Sequence, residues 1–416
     1  MLDTPAQPPA SMRAAAKPKT SSAGQPVPVD PDLHIGQQPH DRESDTKSLL
    51  RWIEELRVEQ PRVLGFPGAL DFDYSALAPA LAVFANNVGD PGVADASGVS
   101  AKNRERAVVR FFAETAEAPE DVYGYLTTGG SEGIRYGLQA ARERLPHAHV
   151  YISDQAHDAV RKEARTLGMK VCVVASGEDG SMDPDDLKVK VLVHRRLNPR
   201  GGRGPGAIVL ATIGTTMKGA YDDVTSLRLM ASVAGQVYVH ADAALDGLVA
   251  AHAPSRPGPR WNFTHGAHSV SMSGHKVIGT PVPCGVLLIR SEFALEPAGA
   301  EYVKAADRTL GCSRSGLAAL FLWSALRRLG HDGVRERIRA GLETAEYAVT
   351  QLEGVGVNPS RPADSLIVCL DRPDDRVVNR WHLACEGDRA HIVTVAHVGR
   401  PQIDALCADL ASRRRS

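Results

Sequence analysis

The chain lacks most of the marks of a secreted, membrane-spanning or nucleic-acid-binding protein. Its six cysteines (172, 284, 312, 369, 385 and 407) form no Cys-x-x-Cys pair. Most lie in apolar runs, where a reduced thiol packs as a small hydrophobe. A disulfide framework and a zinc site are therefore not expected; no metal is, and a reducing compartment fits best. No apolar stretch is long enough to span a bilayer, and the first residues lack the apolar core of a secretory signal. Lys and Arg number 48 against 49 Asp and Glu, a formal net charge of −1. That balance gives no reason to expect a nucleic-acid or membrane partner. There is no internal repeat of solenoid period. The expectation is a soluble, cytoplasmic protein. With 416 residues, 43% of them hydrophobic, it can build one large domain and a smaller one.

Residues 1–40 are rich in Pro, Ala, Ser and Gln, and bury too little to offset ordering entropy, so a disordered tail is expected. Residues 41–99 read as a helical and loop segment, with Leu49, Leu50, Ile53 and Leu56 at helical spacing. From about residue 100 to 295, helices alternate with short apolar strands. Helix 131–145 carries Ile134, Leu138, Ala141 and Leu145 on one stripe. Strands are expected at 150–152, 171–174, 207–212, 236–240, 269–272 and 286–289. Continuously apolar strands between helices imply a mostly parallel sheet covered on both faces, an α/β fold. The arginine- and glycine-rich stretch 198–206 reads as a solvated surface loop. Residues 296–416 form a small α+β region: a helical stretch at 317–353, strands at 365–370 and 390–395, and a closing helix at 401–412.

Several local patterns carry chemistry. Thr128-Gly129-Gly130-Ser131-Glu132-Gly133 opens the helix at 131. Its glycines permit close backbone approach, and the free N–H groups and helix dipole favour a phosphate, with Ser131 as an added donor. It has neither the lysine of a P-loop nor dinucleotide spacing, and on its own would be an ordinary capped turn. Asp242, at the end of an apolar strand, is a helix cap, a metal ligand or the partner of a bound cation. Opposite a pyridine nitrogen it would keep that nitrogen protonated. Lys276, in Ser273-Gly274-His275-Lys276, is a surface charge or, if desolvated, an amine ready to form a Schiff base. Ser273 and His275 are placed to assist at a phosphate or to make local hydrogen bonds. His157, just after a strand, is a loop histidine or a ring stacked on a cofactor. A glycine-rich helix start, an aspartate and a lysine, in that order, are the parts needed to hold pyridoxal 5′-phosphate.

With those residues in hand, the chain resembles the group II amino-acid decarboxylases that use this cofactor, most of all their bacterial histidine decarboxylase branch. The resemblance runs from about residue 60 to 410. It rests on Gly65-Phe66-Pro67, Asp71-Phe72-Asp73-Tyr74-Ser75, Asn86-Asn87-Val88-Gly89-Asp90, the turn at 127–133, and Ser153-Asp154-Gln155-Ala156-His157. It continues through Ile213-Gly214-Thr215-Thr216, His240-Ala241-Asp242-Ala243-Ala244, Ser273-Gly274-His275-Lys276 and the block 307–316. It implies a type I aminotransferase-like fold, covalent attachment of the cofactor at Lys276, Asp242 at the ring nitrogen and His157 over the ring. It also implies phosphate contacts from Gly130, Ser131, Ser273 and His275, and Thr215 near the ring edge. Asn86 and Ser313 are candidate substrate contacts, Tyr302 a candidate proton donor, and the active unit a homodimer with sites at the interface. Four places depart from the family pattern: Ile134 and Ser315 stand where Asn is usual, Leu310-Gly311-Cys312 differs from the common form, and Asp246 stands where Ser is often found. The implied reaction is decarboxylation of an L-amino acid, with histidine first. The same chemistry on serine, a branched-chain or an aromatic amino acid is the alternative, as is a retro-aldol lyase. A regulator that has lost activity would not be expected to keep Lys276, Asp242 and His157 together.

Overall fold

The computed structural model describes residues 33–94, 97–198, 204–255, 257–299, 301 and 304–412. The chain divides into two compact units, residues 1–56 and 57–416. The expected tail at 1–40 lies, up to residue 32, outside the described residues, as do 199–203 of the arginine-glycine loop. The described part of the first unit holds most of helix α1 (Arg42–Glu59), whose first turn carries Glu43 and Asp45, as the helix dipole favours.

The second unit begins with the short strand β1 (Asn86–Val88) and helix α2 (Lys102–Thr115). A regular alternation follows: β2 (Tyr123–Thr127), α3 (Gly130–Arg144), β3 (His149–Ser153), α4 (Asp158–Thr166), β4 (Val171–Val174) and α5 (Pro184–Leu197). It continues with β5 (Ala207–Thr212), α6 (Val224–Ala231), β6 (Val237–Asp242), α7 (Gly247–Ala251), β7 (Ser269–Ser273) and β8 (Gly285–Ile289). The strands from β2 to β8 make one seven-stranded sheet in the order β2-β8-β7-β6-β5-β3-β4. Only β8 runs against its neighbours; β4, β3, β5, β6 and β7 pair in parallel. This is the mostly parallel sheet that the apolar runs predict.

Each central strand is buried on both faces. Along β5, Val209 and Ala211 pack with Val239, Val270 and Leu288, while Ile208 and Leu210 face the other way, onto Val150, Ile152 and Leu287. On that second face α3 contributes Ile134, Leu138 and Ala141, the stripe read from its periodicity. Strand β2 is not evident from the sequence because Tyr123-Gly124-Tyr125 is not an apolar run and glycine weakens a strand. Packing explains the glycine: a Cβ on Gly124 would stand 2.7 Å from the Leu287 carbonyl oxygen.

Beyond the sheet come β9 (Ser313–Ser315) and the long helix α8 (Gly316–Gly354), which is interrupted at Gly330 (φ 62°, ψ −175°). The chain ends with β10 (Ile367–Asp371), α9 (Asp375–Arg380), β11 (Ala384–Glu386), β12 (Arg389–Val393) and α10 (Arg400–Ser412). Strands β10, β12 and β11 form a small antiparallel sheet. Strands β1 and β9 pair antiparallel. Arg314 of β9 anchors that ribbon: it is paired with the fully buried Glu105 of α2 and donates to the Gly89 carbonyl at 2.8 Å. Glu105 also accepts the Leu126 N–H at 2.9 Å and the Asn87 amide at 2.7 Å. The segment before β1 joins the small sheet to the large one. Val393 donates to the Leu64 carbonyl at 2.7 Å, and Ala69 donates to the Lys276 carbonyl at 2.8 Å. All six cysteines are free, and no helix of the described residues is long and apolar enough to cross a membrane.

Candidate active site

A cavity of about 510 Å³ opens at the ends of strands β2, β5, β6 and β7, between the large sheet and the small one. In open α/β sheets this is where ligands bind, outside the carboxyl ends of parallel strands.

One end of the cavity is built for an anion. Helix α3 starts there with Gly129 as its N-cap and no capping side chain. Glu132 reaches back instead to Thr128, accepting its N–H at 2.8 Å and its hydroxyl at 2.7 Å. That contact steadies the turn while leaving the helix start open. Gly130 and Ser131 line the cavity, and a Cβ on Gly130 would stand 3.5 Å from the Ser273 hydroxyl. Ser273 and His275 line the same end. His275 sets Nδ1 against the Cys284 backbone, 2.8 Å from its carbonyl and 3.2 Å from its N–H, which leaves Nε2 for a ligand. Burial pushes the His275 pKa down, which favours the uncharged ring. The four phosphate candidates of the sequence thus share one wall.

Lys276 sits not at a plain strand end but within a single π-helical turn, His275–Gly279. Such turns are uncommon and often mark functional positions. Solvent reaches part of the side chain through the cavity, yet protein surrounds the amine. Burial therefore pushes its pKa down, against the pull of Asp242 and then Asp246. A larger neutral fraction is what a nucleophilic amine needs. Asp242, 5% exposed at the end of β6, has only the Ala244 N–H, at 3.3 Å, as a hydrogen-bond donor among the described residues. Burial raises its carboxyl pKa, while Lys276 and His157 pull it back. A carboxylate this enclosed and this poorly satisfied suits a cationic ligand atom.

His157 lines the cavity as the N-cap of α4, and its Nδ1 accepts the Ala159 N–H at 3.1 Å. In the neutral ring the proton then belongs on Nε2. Thr215 is fully buried and does not line the cavity; its hydroxyl accepts the Ala220 N–H at 3.0 Å, while Thr212, Gly214 and Thr216 are the residues of that segment that do. Asn86 and Ser313 do not line it within one chain either. They bond to each other across the β1–β9 ribbon at 3.2 Å. Tyr302 lies outside the described residues.

Other wall residues carry no local sequence signal. Thr212 brings a buried hydroxyl with no hydrogen-bond partner among the described residues. Ile367, Ala384, His391 and Val393 come from the small sheet and are brought to the cavity only by tertiary folding. His391 donates Nε2–H to the Gly65 carbonyl at 3.0 Å, and its buried Nδ1 has no hydrogen-bond partner among the described residues.

The donor set fits pyridoxal 5′-phosphate. An open helix start with Ser131, Ser273 and His275 suits its phosphate. Asp242 suits its ring nitrogen, Lys276 its aldehyde, and the orphaned Thr212 hydroxyl lies on the same wall. Comparison with known proteins agrees. The model of the pyridoxal-dependent decarboxylase conserved domain matches residues 105–356. Serine decarboxylase 2 of Oryza sativa subsp. japonica is 36% identical over 376 residues, covering 89% of this chain and 78% of the relative. The histidine decarboxylase of Acinetobacter baumannii (strain ACICU) is 36% identical over 355 residues, covering 83% of this chain and 90% of the relative. That of Mesorhizobium japonicum is 35% identical over 376 residues, covering 89% and 99%. Among solved structures, L-methionine decarboxylase from Streptomyces sp. 590 superposes with a TM-score of 0.82 at 22% identity, covering 93% of this chain and 98% of that one. At that identity the superposition speaks to the fold.

Proposed function

The chain belongs to the pyridoxal-dependent decarboxylases, and from that premise we propose that it converts L-histidine to histamine and carbon dioxide. Decarboxylation of an amino acid with pyridoxal 5′-phosphate is the activity of its family; the choice of histidine is our reading. The observation that carries the site is the meeting of Lys276, Asp242 and His157 on one cavity beside an open helix start.

When bound, the cofactor supplies an electron sink for the pair released as the carboxylate departs. The remaining work belongs to the protein. The α3 N–H groups, Ser131, Ser273 and His275 would hold the phosphate. Asp242 would keep a proton on the ring nitrogen. Lys276 presents an amine whose burial favours the nucleophilic form. His157, with Nδ1 committed to Ala159, offers Nε2–H to the substrate carboxylate. A carboxylate held there would be fixed in one orientation for its loss. A proton must then return to Cα, and Lys276 and His157 are the described groups able to deliver it.

Support for histidine comes from the Acinetobacter and Mesorhizobium relatives and from a wall of Phe66, Ile134, Ala384 and His391 with room beyond a small side chain. Serine is the second reading, favoured by the equally similar rice relative. The homodimer is also our reading. Leu81, Val83 and Phe84 are 68%, 63% and 74% exposed just before Asn86, which suits a surface covered by a second copy. The free thiols agree with a cytoplasmic location.

The test is to load the full chain with cofactor, offer each amino acid separately, and follow carbon dioxide release with identification of the amine by mass spectrometry. Histamine from histidine supports the proposal. Ethanolamine from serine with histidine inert transfers it to the second reading, and an aldehyde without carbon dioxide rejects both.

A further inference from the structure

The groups assigned to the cofactor come from the large sheet and the loops at its strand ends. The small sheet supplies another wall, where His391 stands among Ile367, Ala384 and Val393. Strand alternation puts the four together. His391 and Val393 are two apart on β12 and so share a face. Across the ladders His391 pairs with Ala384 on β11, and Val393 pairs with Ile367 on β10. Three of the four are apolar. His391 brings the wall a polar ring, and it is only 2% exposed.

That ring is held in one orientation. The Gly65 carbonyl, 3.0 Å from Nε2, can only accept, so Nε2 carries the proton. Gly65 is itself fixed. Its N–H donates to the His382 carbonyl at 3.1 Å, and a Cβ on it would stand 2.2 Å from the Ala384 nitrogen. This close approach of two backbones is what requires glycine in the Gly65-Phe66-Pro67 segment. In the neutral ring Nδ1 is then a bare acceptor. It is buried, with no hydrogen-bond partner among the described residues. Burial pushes the His391 pKa down, against the pull of the Gly65 carbonyl, which favours the neutral ring.

A buried acceptor left empty is costly, and a polar atom so placed on a ligand cavity asks for a donor. We propose that His391 is a specificity-determining residue, its Nδ1 accepting a hydrogen bond from an N–H or O–H group in the side chain of the substrate. The substrate class follows: an L-amino acid whose side chain carries a donor. The imidazole N–H of histidine meets that demand. A branched-chain residue has no donor and would leave Nδ1 stranded. Ala384, the register partner of His391, adds only a methyl group beside it, which leaves space for a ring. The inference rests on the histidine reading of this cavity and deepens it.

The experiment uses the full-chain holoenzyme with His391→Leu, which removes the acceptor, and His391→Gln, which restores one. The paired ligands are L-histidine and thienylalanine, whose five-membered ring has no N–H. Binding is titrated through the visible absorbance of the cofactor, and carbon dioxide release gives kcat and KM. The natural chain should favour L-histidine by about a hundredfold in kcat/KM. His391→Leu should cut that preference to about tenfold or less, chiefly through KM, and His391→Gln should recover part of it. With histidine decarboxylated, no preference in the natural chain, or an equal preference in His391→Leu, overturns the proposal. The histidine reading fails separately, if serine is decarboxylated and histidine is not. The same variants are then compared on L-serine and L-aminobutyrate, which carries a methyl group in place of the hydroxyl. Loss of the serine preference in His391→Leu upholds the role of His391 with another donor, and its persistence overturns it.

Discussion

Burying Asp246 without a hydrogen bond should make the protein less stable as pH rises, and Asp246→Asn should remove that dependence. In the folded chain the carboxyl pKa is pushed up to about 7, from 3.8 for the free side chain. Below 3.8 the group is protonated in both states and contributes nothing. Between 3.8 and 7 the folded chain keeps a proton that the unfolded chain has lost, so stability falls with rising pH; above 7 the loss is complete. The gap of about 3.2 pH units, at about 1.4 kcal/mol each, is about 4 kcal/mol in all, of which about 2–3 kcal/mol is lost between pH 5 and pH 8. Asparagine does not titrate, so its stability relative to the natural residue should climb by that amount over the same interval. Any fixed cost of fitting the amide shifts the difference equally at both ends. Asp222, another buried carboxyl pushed up to about 7, titrates alike in both chains and cancels. Equilibrium urea unfolding of the two full chains at pH 5 and pH 8, with the same excess of cofactor, reads the difference directly. Parallel stability at both pH values would refute the argument, since it would mean that the carboxylate is as well solvated inside as outside.

Three further outcomes are expected. Lys276→Ala should lose both the visible cofactor band and turnover; a covalent adduct persisting in that variant rules the lysine out. Asp242→Ala should retain part of the cofactor but lose most activity, measured as carbon dioxide release at saturating cofactor. Near-normal turnover would mean that the ring nitrogen is held by another group. Arg314→Met should destabilise the chain by about 3–5 kcal/mol in urea unfolding, because it strands the buried Glu105 charge, and Glu105→Gln in the same chain should recover a large part of that. Equal stability of the single and double variants would show that the guanidinium matters for its packing rather than its charge.

The large sheet was legible because its central strands are buried on both faces and so read as unbroken apolar runs. Ala207–Thr212 is buried at every position, and the α3 stripe packs where its period puts it. Strands β2 and β11 escaped because neither is an apolar run. The grouping of the four phosphate candidates on one cavity was legible too, since Gly130 and Ser131 stand at a local helix start, and Ser273 and His275 are neighbours of Lys276 in sequence. Thr215 belonged to a recognisable segment, but its hydroxyl is committed to the Ala220 N–H, and that preference depends on how the loop closes.

From residue types and their order alone come the α/β sheet, the cofactor and the trio Lys276, Asp242 and His157, because those depend on periodicity and on side chains at strand ends. Tertiary structure alone decides the rest. His391 and Ala384 reach the cavity only when the small sheet folds over it, and Asp246 is buried where it is only because Gly214 leaves it room. Spacing along a chain encodes local geometry. How much water a carboxylate loses, and which cation it meets in exchange, depends on segments far apart in sequence closing around it.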